Sequence, residues 1–225
     1  MAEPALVTEY ELEGPKRGAD RAVLLAHGAG ANMHAATLTT VSAALAAAGV
    51  PSLRFNFRYR SAGRNAPDRA PVLLCALREA AAELARRTRL DPARLVLGGR
   101  SMGGRMASMA VADVDDPLPA LGLVLLGYPL HPAGKPDNLR TEHFGRIHTP
   151  CLFVSGTRDS LAPRDSLVRE IPSIPGPGPV TVHWLEAADH GFRPLKASGL
   201  TQADSLVDAA GAVVGFVRAL PPPGR

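Results

Sequence analysis

Cysteine, lysine and aromatic residues are all scarce in this sequence of 225 residues. With only two cysteines, the chain cannot form the disulfide framework of a small secreted domain. Aromatic residues make up 4% of the chain, and lysine supplies only 3 of the 25 basic residues. Although the net charge is +4, basic and acidic residues are interspersed, and no basic run with interleaved aromatic residues occurs. This pattern argues against nucleic-acid binding.

Long apolar runs are missing too. The longest, from Leu118 to Leu130, is interrupted by Pro119 and Pro129, whereas a membrane helix needs about 20 apolar residues. The first residues are acidic and lack the apolar segment of a signal peptide. We therefore expect a cytoplasmic protein with no membrane partner. The hydrophobic fraction of 46% and the length favour a single globular domain over residues 1–225, with frayed tails at 1–5 and 221–225.

Short leucine-rich or β-branched segments alternate with longer alanine-rich segments along the chain. This alternation predicts an α/β fold, a mostly parallel sheet with helices on both faces. The two cysteines, Cys75 and Cys151, are predicted to be small buried side chains. The predicted strands are 6–12, 21–26, 52–57, 94–99, 121–126, 150–155 and 180–185. The predicted helices are 33–48, 67–88, 102–112, 164–170 and 201–220.

The most informative motif is Gly99-Arg100-Ser101-Met102-Gly103, which has the form G-x-S-x-G. It follows a predicted strand and precedes a predicted helix, as a nucleophile elbow does. In such an elbow the serine occupies a strained turn, where side chains two residues away on either side would collide with the backbone. The motif therefore predicts that Ser101 is a nucleophile. The alternative is a glycine-rich turn with a capping serine.

A nucleophilic serine of this type needs an acid and a base, in the chain order Ser, Asp, His. Asp159 follows the predicted strand 150–155, and His190 follows the predicted strand 180–185. Both positions lie at the carboxyl ends of strands, where α/β sheets build their sites. We expect His190 to accept the proton of Ser101 and Asp159 to orient the imidazole. The nearest rival acid, Asp165, lies inside the next predicted helix.

The segment His27-Gly28-Ala29-Gly30 follows the predicted strand 21–26. The backbone N–H groups of Ala29 and Met102 can together bind a developing oxyanion. If the loop is shifted by one residue, the N–H of Gly30 takes the place of the N–H of Ala29. The segment also resembles part of a dinucleotide-binding G-x-G-x-x-G, but Met33 stands at the third glycine. We therefore expect no cofactor, and no metal ion, and we expect the histidine of this segment to brace the loop.

Four residues are candidate substrate contacts: Arg60 after the strand 52–57, Arg100 in the elbow, and Tyr128 and Arg140 after the strand 121–126. Guanidinium groups beside a pocket could hold an anionic acyl group or a phosphate. In an arginine-rich chain they could instead be surface residues or loop-bracing ion pairs, and this second interpretation is favoured.

Six segments together resemble one branch of the α/β-hydrolase superfamily: HGAGANM, RFNFRYRSAGR, GGRSMGGRMAS, GYPLHPAGKPDNLRTEHF, LFVSGTRD and ADHGF. This branch, named for a nonspecific-lethal complex subunit and a testis-expressed protein, is more distantly similar to dienelactone hydrolases. The resemblance covers residues 22–220 and implies an α/β-hydrolase fold with Ser101, Asp159 and His190 at the triad positions. Dienelactone hydrolases normally carry cysteine at the position of Ser101.

These features predict a serine hydrolase that cleaves small esters or thioesters through an acyl-enzyme on Ser101. The short connection between the predicted strands 121–126 and 150–155 leaves no room for a large cap domain. A peptidase or a C–C hydrolase uses the same triad. The alternative from another class is a non-catalytic interaction module, since the resembled branch includes a scaffold subunit.

Overall fold

The computed structural model describes residues 9–176, 178 and 180–221. The strands are β1 (Tyr10–Glu13), β2 (Ala22–Ala26), β3 (Ser52–Phe55), β4 (Leu95–Arg100), β5 (Gly122–Leu126), β6 (Cys151–Gly156) and β7 (Val180–Leu185). The helices are α1 (Ala36–Ala47), α2 (Arg58–Ser61), α3 (Ala70–Thr88), α4 (Met102–Val111), α5 (Arg164–Glu170) and α6 (Gln202–Ala219). Residues 1–5 and 222–225 of the predicted tails, and residues 6–8 of the first predicted strand, lie outside the described residues.

The strands form one seven-stranded sheet in the order β1-β3-β2-β4-β5-β6-β7. All neighbouring strands pair in parallel, except that β1 is antiparallel to β3 at one edge of the sheet. Parallel pairing requires crossover connections, which the helices provide. The predicted α/β fold is therefore confirmed, and the carboxyl ends of β2, β4, β6 and β7 lie on one side of the molecule.

Helices cover both faces of this sheet. Along β2 the side chains alternate between the faces, as a strand requires. Leu24 packs in one core with residues of α3 and α4, whereas Val23 and Leu25 pack in a second core with residues of α1 and α6. Burial on both sides explains why the central strands are continuous apolar runs.

In the described residues no large cap domain covers the carboxyl end of the sheet. The connection from β5 to β6, where a cap could be inserted, contains only a short 3₁₀ turn at Phe144–Arg146 in the described structure. The carboxyl ends of the strands are therefore accessible to small molecules.

Two predicted helices begin later than the sequence pattern indicates. α1 begins at Ala36 rather than at residue 33, because the Met33 N–H donates to Asn56 Oδ1 at 2.9 Å and holds the preceding loop against β3. α3 begins at Ala70 rather than at residue 67, with Pro71 in its first turn, where a helix needs no N–H donor. The pattern did not predict α2, since four residues are too few to show a helical period.

The two cysteines lie in different environments. Cys75 is exposed on α3, so its predicted burial is wrong; the apolar face of that helix is formed by residues such as Leu73, Leu77 and Leu84. Cys151 is buried at the start of β6 as predicted, and burial raises the pKa of its thiol to about 12. Both thiols are free.

Candidate active site

Ser101 occupies the tight turn between β4 and α4. Its φ of 50° and ψ of −111° form a conformation that costs about 1–3 kcal/mol in a residue with a side chain. Hydrogen bonds on both sides hold this turn. The Ser101 N–H donates to the Leu126 carbonyl at 2.9 Å, and the Ser101 carbonyl accepts from the Arg105 N–H at 3.0 Å. The local backbone is that of the predicted strand-to-helix elbow.

The two glycines of the motif allow this turn to pack against β2. A Cβ on Gly99 would lie 2.1 Å from the carbonyl oxygen of Ala26, and a Cβ on Gly103 would lie 2.3 Å from the same oxygen. The φ of 152° at Gly99 also lies in a region that residues with side chains rarely adopt. Any side chain at either position must therefore displace the elbow or the strand.

The Ser101 hydroxyl meets an imidazole that is held by a carboxylate. Ser101 Oγ lies 3.1 Å from His190 Nε2, and His190 Nδ1 lies 2.8 Å from Oδ2 and 3.0 Å from Oδ1 of Asp159. Because an ionised carboxylate can only accept, Nδ1 carries the proton, and Nε2 accepts from the serine. The Asp159 side chain is fully buried, whereas a quarter of the imidazole remains exposed. The three predicted residues thus form one hydrogen-bonded chain.

The end of β6 positions the acid. Asp159 Oδ1 accepts a second hydrogen bond, from the Leu161 N–H at 2.8 Å, which fixes the carboxylate in its turn. The same turn packs closely against the loop that follows β7, since a Cβ on Gly156 would lie 2.2 Å from the Ala188 carbonyl oxygen. Close contact between the two loops brings Asp159 within reach of the histidine.

A second carboxylate shapes the turn that carries His190. Asp189 Oδ1 accepts hydrogen bonds from the N–H groups of Gly191, at 2.7 Å, and of Arg193, at 2.9 Å. The rival acid Asp165 lies exposed in the first turn of α5 and forms no hydrogen bond with His190 in the described structure. Asp159 is therefore the acid that the fold supplies to the imidazole.

His27 braces the loop after β2. Its Nδ1–H donates to the Gly28 carbonyl at 2.8 Å, and its Nε2 accepts from the Phe57 N–H at 3.1 Å. The ring is buried, and burial lowers the pKa of His27 to about 4. With both nitrogens engaged and the ring neutral, His27 ties the loop to the end of β3.

A second Ser–His pair lies inside the molecule. Ser108 Oγ lies 2.8 Å from His143 Nε2, and the Ser108 hydroxyl donates to the Arg105 carbonyl at 2.9 Å. Both residues are buried, and burial lowers the pKa of His143 to about 4. His143 Nδ1 has no hydrogen-bond partner among the described residues, so no acid orients this ring. The pair is a packing feature beneath the site.

We expect the two buried histidines to make the fold sensitive to acid. His27 and His143 are neutral in the folded protein, with pKa values of about 4, and take up a proton near pH 6.5 when unfolded. Their contribution to stability is complete above that pH and is lost as the pH falls toward 4, by about 2 kcal/mol per histidine at pH 4.5. His143→Leu should therefore reduce the loss of unfolding free energy between pH 7 and pH 4.5, measured by urea denaturation. The exposed His148→Leu control should keep the wild-type loss, and equal losses in all three proteins would contradict the assignment.

Two cavities open beside Ser101, and Ala29 also lines both. The first cavity, of about 400 Å³, is lined among others by Asp68, Leu73, Arg105, Met106, His131, Arg140 and Leu161. The second cavity, of about 650 Å³, is lined among others by Arg100, His190, Arg193 and Gln202. The serine therefore lies between two spaces, of which only the second is lined by the imidazole.

Of the four candidate substrate contacts, Arg140 lines the first cavity and Arg100 lines the second. Arg100 is nevertheless directed into the protein. Its Nη1 donates to the carbonyls of Leu126 at 3.1 Å and Gly127 at 3.3 Å, and its guanidinium stacks 4.6 Å over the Phe192 ring. Burial lowers the pKa of Arg100 to about 10. The side chain joins the end of β5 to the His190 loop, so it has a bracing position.

Arg60 and Tyr128, named as candidate substrate contacts, are not among the residues that line the two cavities. Arg60 Nη1 donates to Asn65 Oδ1 at 2.5 Å and to the Arg64 carbonyl at 3.2 Å, so it braces its own loop. Tyr128 is buried, and its hydroxyl donates to the Arg140 carbonyl at 2.7 Å. Arg105 is the residue that sequence reasoning missed, and its position one helical turn after Ser101 was the available signal.

Two kinds of feature are absent from the described part of the chain. No helix there is both long enough and apolar enough to cross a membrane. No group of three or more histidine, cysteine, aspartate or glutamate side chains is placed to hold a metal ion.

Comparison with known proteins gives one family and several structures of similar fold. The family model of the alpha/beta hydrolase domain matches residues 19–218. An alpha-beta serine hydrolase homologue from Coxiella burnetii is 19% identical, with a TM-score of 0.71 over 93% of this chain and 91% of that chain. Dienelactone hydrolase from Anabaena variabilis is also 19% identical, with a TM-score of 0.71 over 95% of this chain and 93% of that chain. A lidless serine hydrolase from Xanthomonas campestris is 19% identical, with a TM-score of 0.66 over 97% of this chain and 91% of that chain. At this level of identity the likeness establishes the fold.

Proposed function

This chain belongs to the alpha/beta hydrolase domain family, and we propose that it is a serine hydrolase that cleaves small esters or thioesters. The observation that carries the proposal is the hydrogen-bonded chain from Ser101 Oγ through His190 to the buried carboxylate of Asp159. A serine hydroxyl is a weak nucleophile unless a base can take its proton, and this chain provides that base in the right tautomer. No cofactor is required.

In the proposed reaction Ser101 Oγ attacks the carbonyl carbon of the substrate while His190 Nε2 takes the hydroxyl proton. The tetrahedral intermediate then collapses, and Nε2–H gives this proton to the leaving alcohol or thiol, so that an acyl-enzyme remains. Water, deprotonated by the same nitrogen, attacks the acyl group, and Ser101 leaves with the proton. Asp159 stabilises the imidazolium at both stages and does not itself become protonated.

Backbone N–H groups would bind the oxyanion of the tetrahedral intermediates. Met102 is the first residue of α4, and the first N–H groups of a helix have no acceptor within it and lie at its positive end. Ala29, in the loop after β2, lines both cavities beside Ser101. Gly30, in contrast, is not among the residues that line either cavity. We therefore assign Ala29 and Met102 as the donors, each contributing about 3 kcal/mol to transition-state stabilisation.

The position of His190 indicates which cavity holds the leaving group and which holds the acyl group. The group that protonates the leaving atom has to lie within hydrogen-bond distance of it. Only the second cavity is lined by His190, so the leaving group occupies that one and the acyl group occupies the first. We call the first the acyl cavity and the second the leaving-group cavity. An acyl cavity of about 400 Å³ suits small acyl groups.

The finer family assignment is also a proposal. The six sequence segments named above support a place in the branch of the nonspecific-lethal complex subunit and the testis-expressed protein. The serine at position 101 separates this chain from dienelactone hydrolases that carry cysteine there. The two free thiols are consistent with the cytoplasm as the working compartment.

Labelling with a fluorophosphonate tests the proposal. We expect one equivalent of the probe to react with the wild-type protein, and peptide mapping by mass spectrometry to place it on Ser101 rather than on the buried Ser108. Ser101→Ala should fold, as judged by circular dichroism, and remain unlabelled. Folded wild-type protein that does not react, and does not hydrolyse any p-nitrophenyl ester, would point to a non-catalytic interaction module instead.

A further inference from the structure

Two arginines line the acyl cavity, and neither donates a hydrogen bond to an acidic side chain in the described part of the chain. The Arg140 guanidinium forms no hydrogen bond or ion pair with other residues in the described part of the chain. Among the described residues Arg105 forms an ion pair only with Glu142, at 3.8 Å, and 63% of that glutamate side chain is exposed. Arg105 Nε is buried and has no hydrogen-bond partner among the described residues. A buried donor without an acceptor is costly, so this position is suited to an acceptor that a ligand supplies.

The Arg105 cation also acts on Arg140. Burial lowers the pKa of Arg140, and the nearby Arg105 cation lowers it further. The other charged residue lining this cavity, Asp68, already accepts a hydrogen bond from Arg64 at 2.6 Å. In the described part of the chain the carboxylate that forms an ion pair with one of these guanidinium groups is Glu142, and it is mostly exposed. Solvent screens an exposed carboxylate, so this part of the cavity stays positive. An anion bound between them would relieve the repulsion.

The apolar part of the cavity lies beside this pair. Arg105 is on α4, one turn after Ser101, whose carbonyl accepts the Arg105 N–H at 3.0 Å. Leu73, Met106 and Leu161 line the same cavity and offer an apolar surface for a short methylene chain. The cavity therefore combines the nucleophile, an apolar surface and two cations.

We propose that Arg105 and Arg140 bind the terminal carboxylate of an acyl group, so that the enzyme prefers half-esters of short dicarboxylic acids to neutral esters of the same length. The planar fork of a guanidinium matches a carboxylate with two parallel hydrogen bonds. This inference rests on the proposed hydrolase function of Ser101 and specifies its substrate class.

Matched p-nitrophenyl esters test the subsite. The half-esters of succinate, glutarate and adipate are compared with the butyrate, valerate and hexanoate esters, with Ser101→Ala as the blank for spontaneous hydrolysis. We expect the wild-type kcat/KM to be higher for the acidic member of at least one pair. Arg105→Met or Arg140→Met should lower that anionic-to-neutral ratio by about 10- to 100-fold, the range for hydrogen bonds to a charged group.

The control is Arg169→Met, which makes the same change in net charge at an exposed position on α5 that does not line either cavity. It should retain the wild-type ratio, which separates contact with the substrate from long-range electrostatics. A wild-type ratio at or below one in every pair overturns the subsite. The subsite is also overturned if neither Arg105→Met nor Arg140→Met changes the anionic-to-neutral ratio.

Glutarate itself provides a readout that needs no turnover. At equal ionic strength with sodium chloride, glutarate should raise the Tm of wild type and of Ser101→Ala, and it should not raise the Tm of the Arg105→Met/Arg140→Met double variant. If no ester is hydrolysed, the proposed function fails, while a glutarate shift that depends on the two arginines still supports the anion subsite. The absence of any glutarate shift in wild type counts against the subsite, whatever the esterase activity.

Discussion

Replacing Asp159 by asparagine is expected to lower kcat for p-nitrophenyl esters by about 10⁴. The buried carboxylate accepts the Nδ1–H of His190 and so keeps Nε2 free to take the proton of Ser101. An amide can instead present its NH₂ group to Nδ1. The imidazole would then carry its proton on Nε2, where it could not act as a base toward the serine. Stopped-flow or steady-state release of p-nitrophenol measures this loss.

The matched control is Asp165→Asn in α5. This carboxylate is exposed and makes no hydrogen bond to His190 in the described structure, so kcat should stay within about twofold of wild type. Asparagine has nearly the shape of aspartate, and its amide oxygen can still accept the Leu161 N–H, so Asp159→Asn should remain folded. Loss of activity in Asp165→Asn with retention in Asp159→Asn would reverse the assignment of the acid.

Gly99→Ala is expected to destabilise the protein by about 3 kcal/mol or more, a large part of the stability of an ordinary domain. The new methyl group would lie 2.1 Å from the Ala26 carbonyl oxygen. The alanine would also have to adopt the φ of 152° that Gly99 has, which residues with side chains rarely adopt. Gly99 is paired with Ala26 in the register of β4 on β2, near the middle of the sheet. Neither strand can move without disturbing both cores. Urea denaturation followed by circular dichroism measures the change.

Gly211→Ala is the control for this substitution. Gly211 lies exposed in α6, and a Cβ there has no heavy atom within 4 Å. Alanine is the better helix former by about 1 kcal/mol, so this variant should be slightly more stable than wild type. Equal destabilisation of the two variants would show that the contact with Ala26 is not the cause of the Gly99 effect.

The candidate nucleophile, acid and base follow from local sequence context. Ser101, Asp159 and His190 each lie in the segment that follows a predicted strand. Parallel strands bring their carboxyl ends to the same side of a sheet, so these three segments lie close together. The glycines two residues before and after Ser101 indicate that the backbone of this turn passes close to a neighbouring strand, where a side chain would not fit. The meeting of the three side chains was therefore predictable before any distance was known.

Side-chain direction in the loops and on helix surfaces was not predictable in this way. Arg60, a candidate substrate contact by its position after a strand, is held by Asn65, and Arg105, which sequence reasoning passed over, lines the acyl cavity. Cys75, expected to be buried, is exposed because α3 turns its leucines toward the sheet. In each case the outcome depends on which neighbours a side chain meets.

The sequence by itself determined the order of the strands and of every helix except the four-residue α2, the elbow, and the residues placed after β4, β6 and β7. These features depend on periodicity, on turn chemistry and on the geometry of parallel strands, all of which are local or general. Only the tertiary structure decided that Arg105 and Arg140 share one cavity while Arg60 and Arg100 brace the frame. The different roles of these arginines arise from packing between segments that are far apart in the chain. A guanidinium that meets a carbonyl or carboxamide acceptor braces the fold, and one that meets no such acceptor faces a cavity.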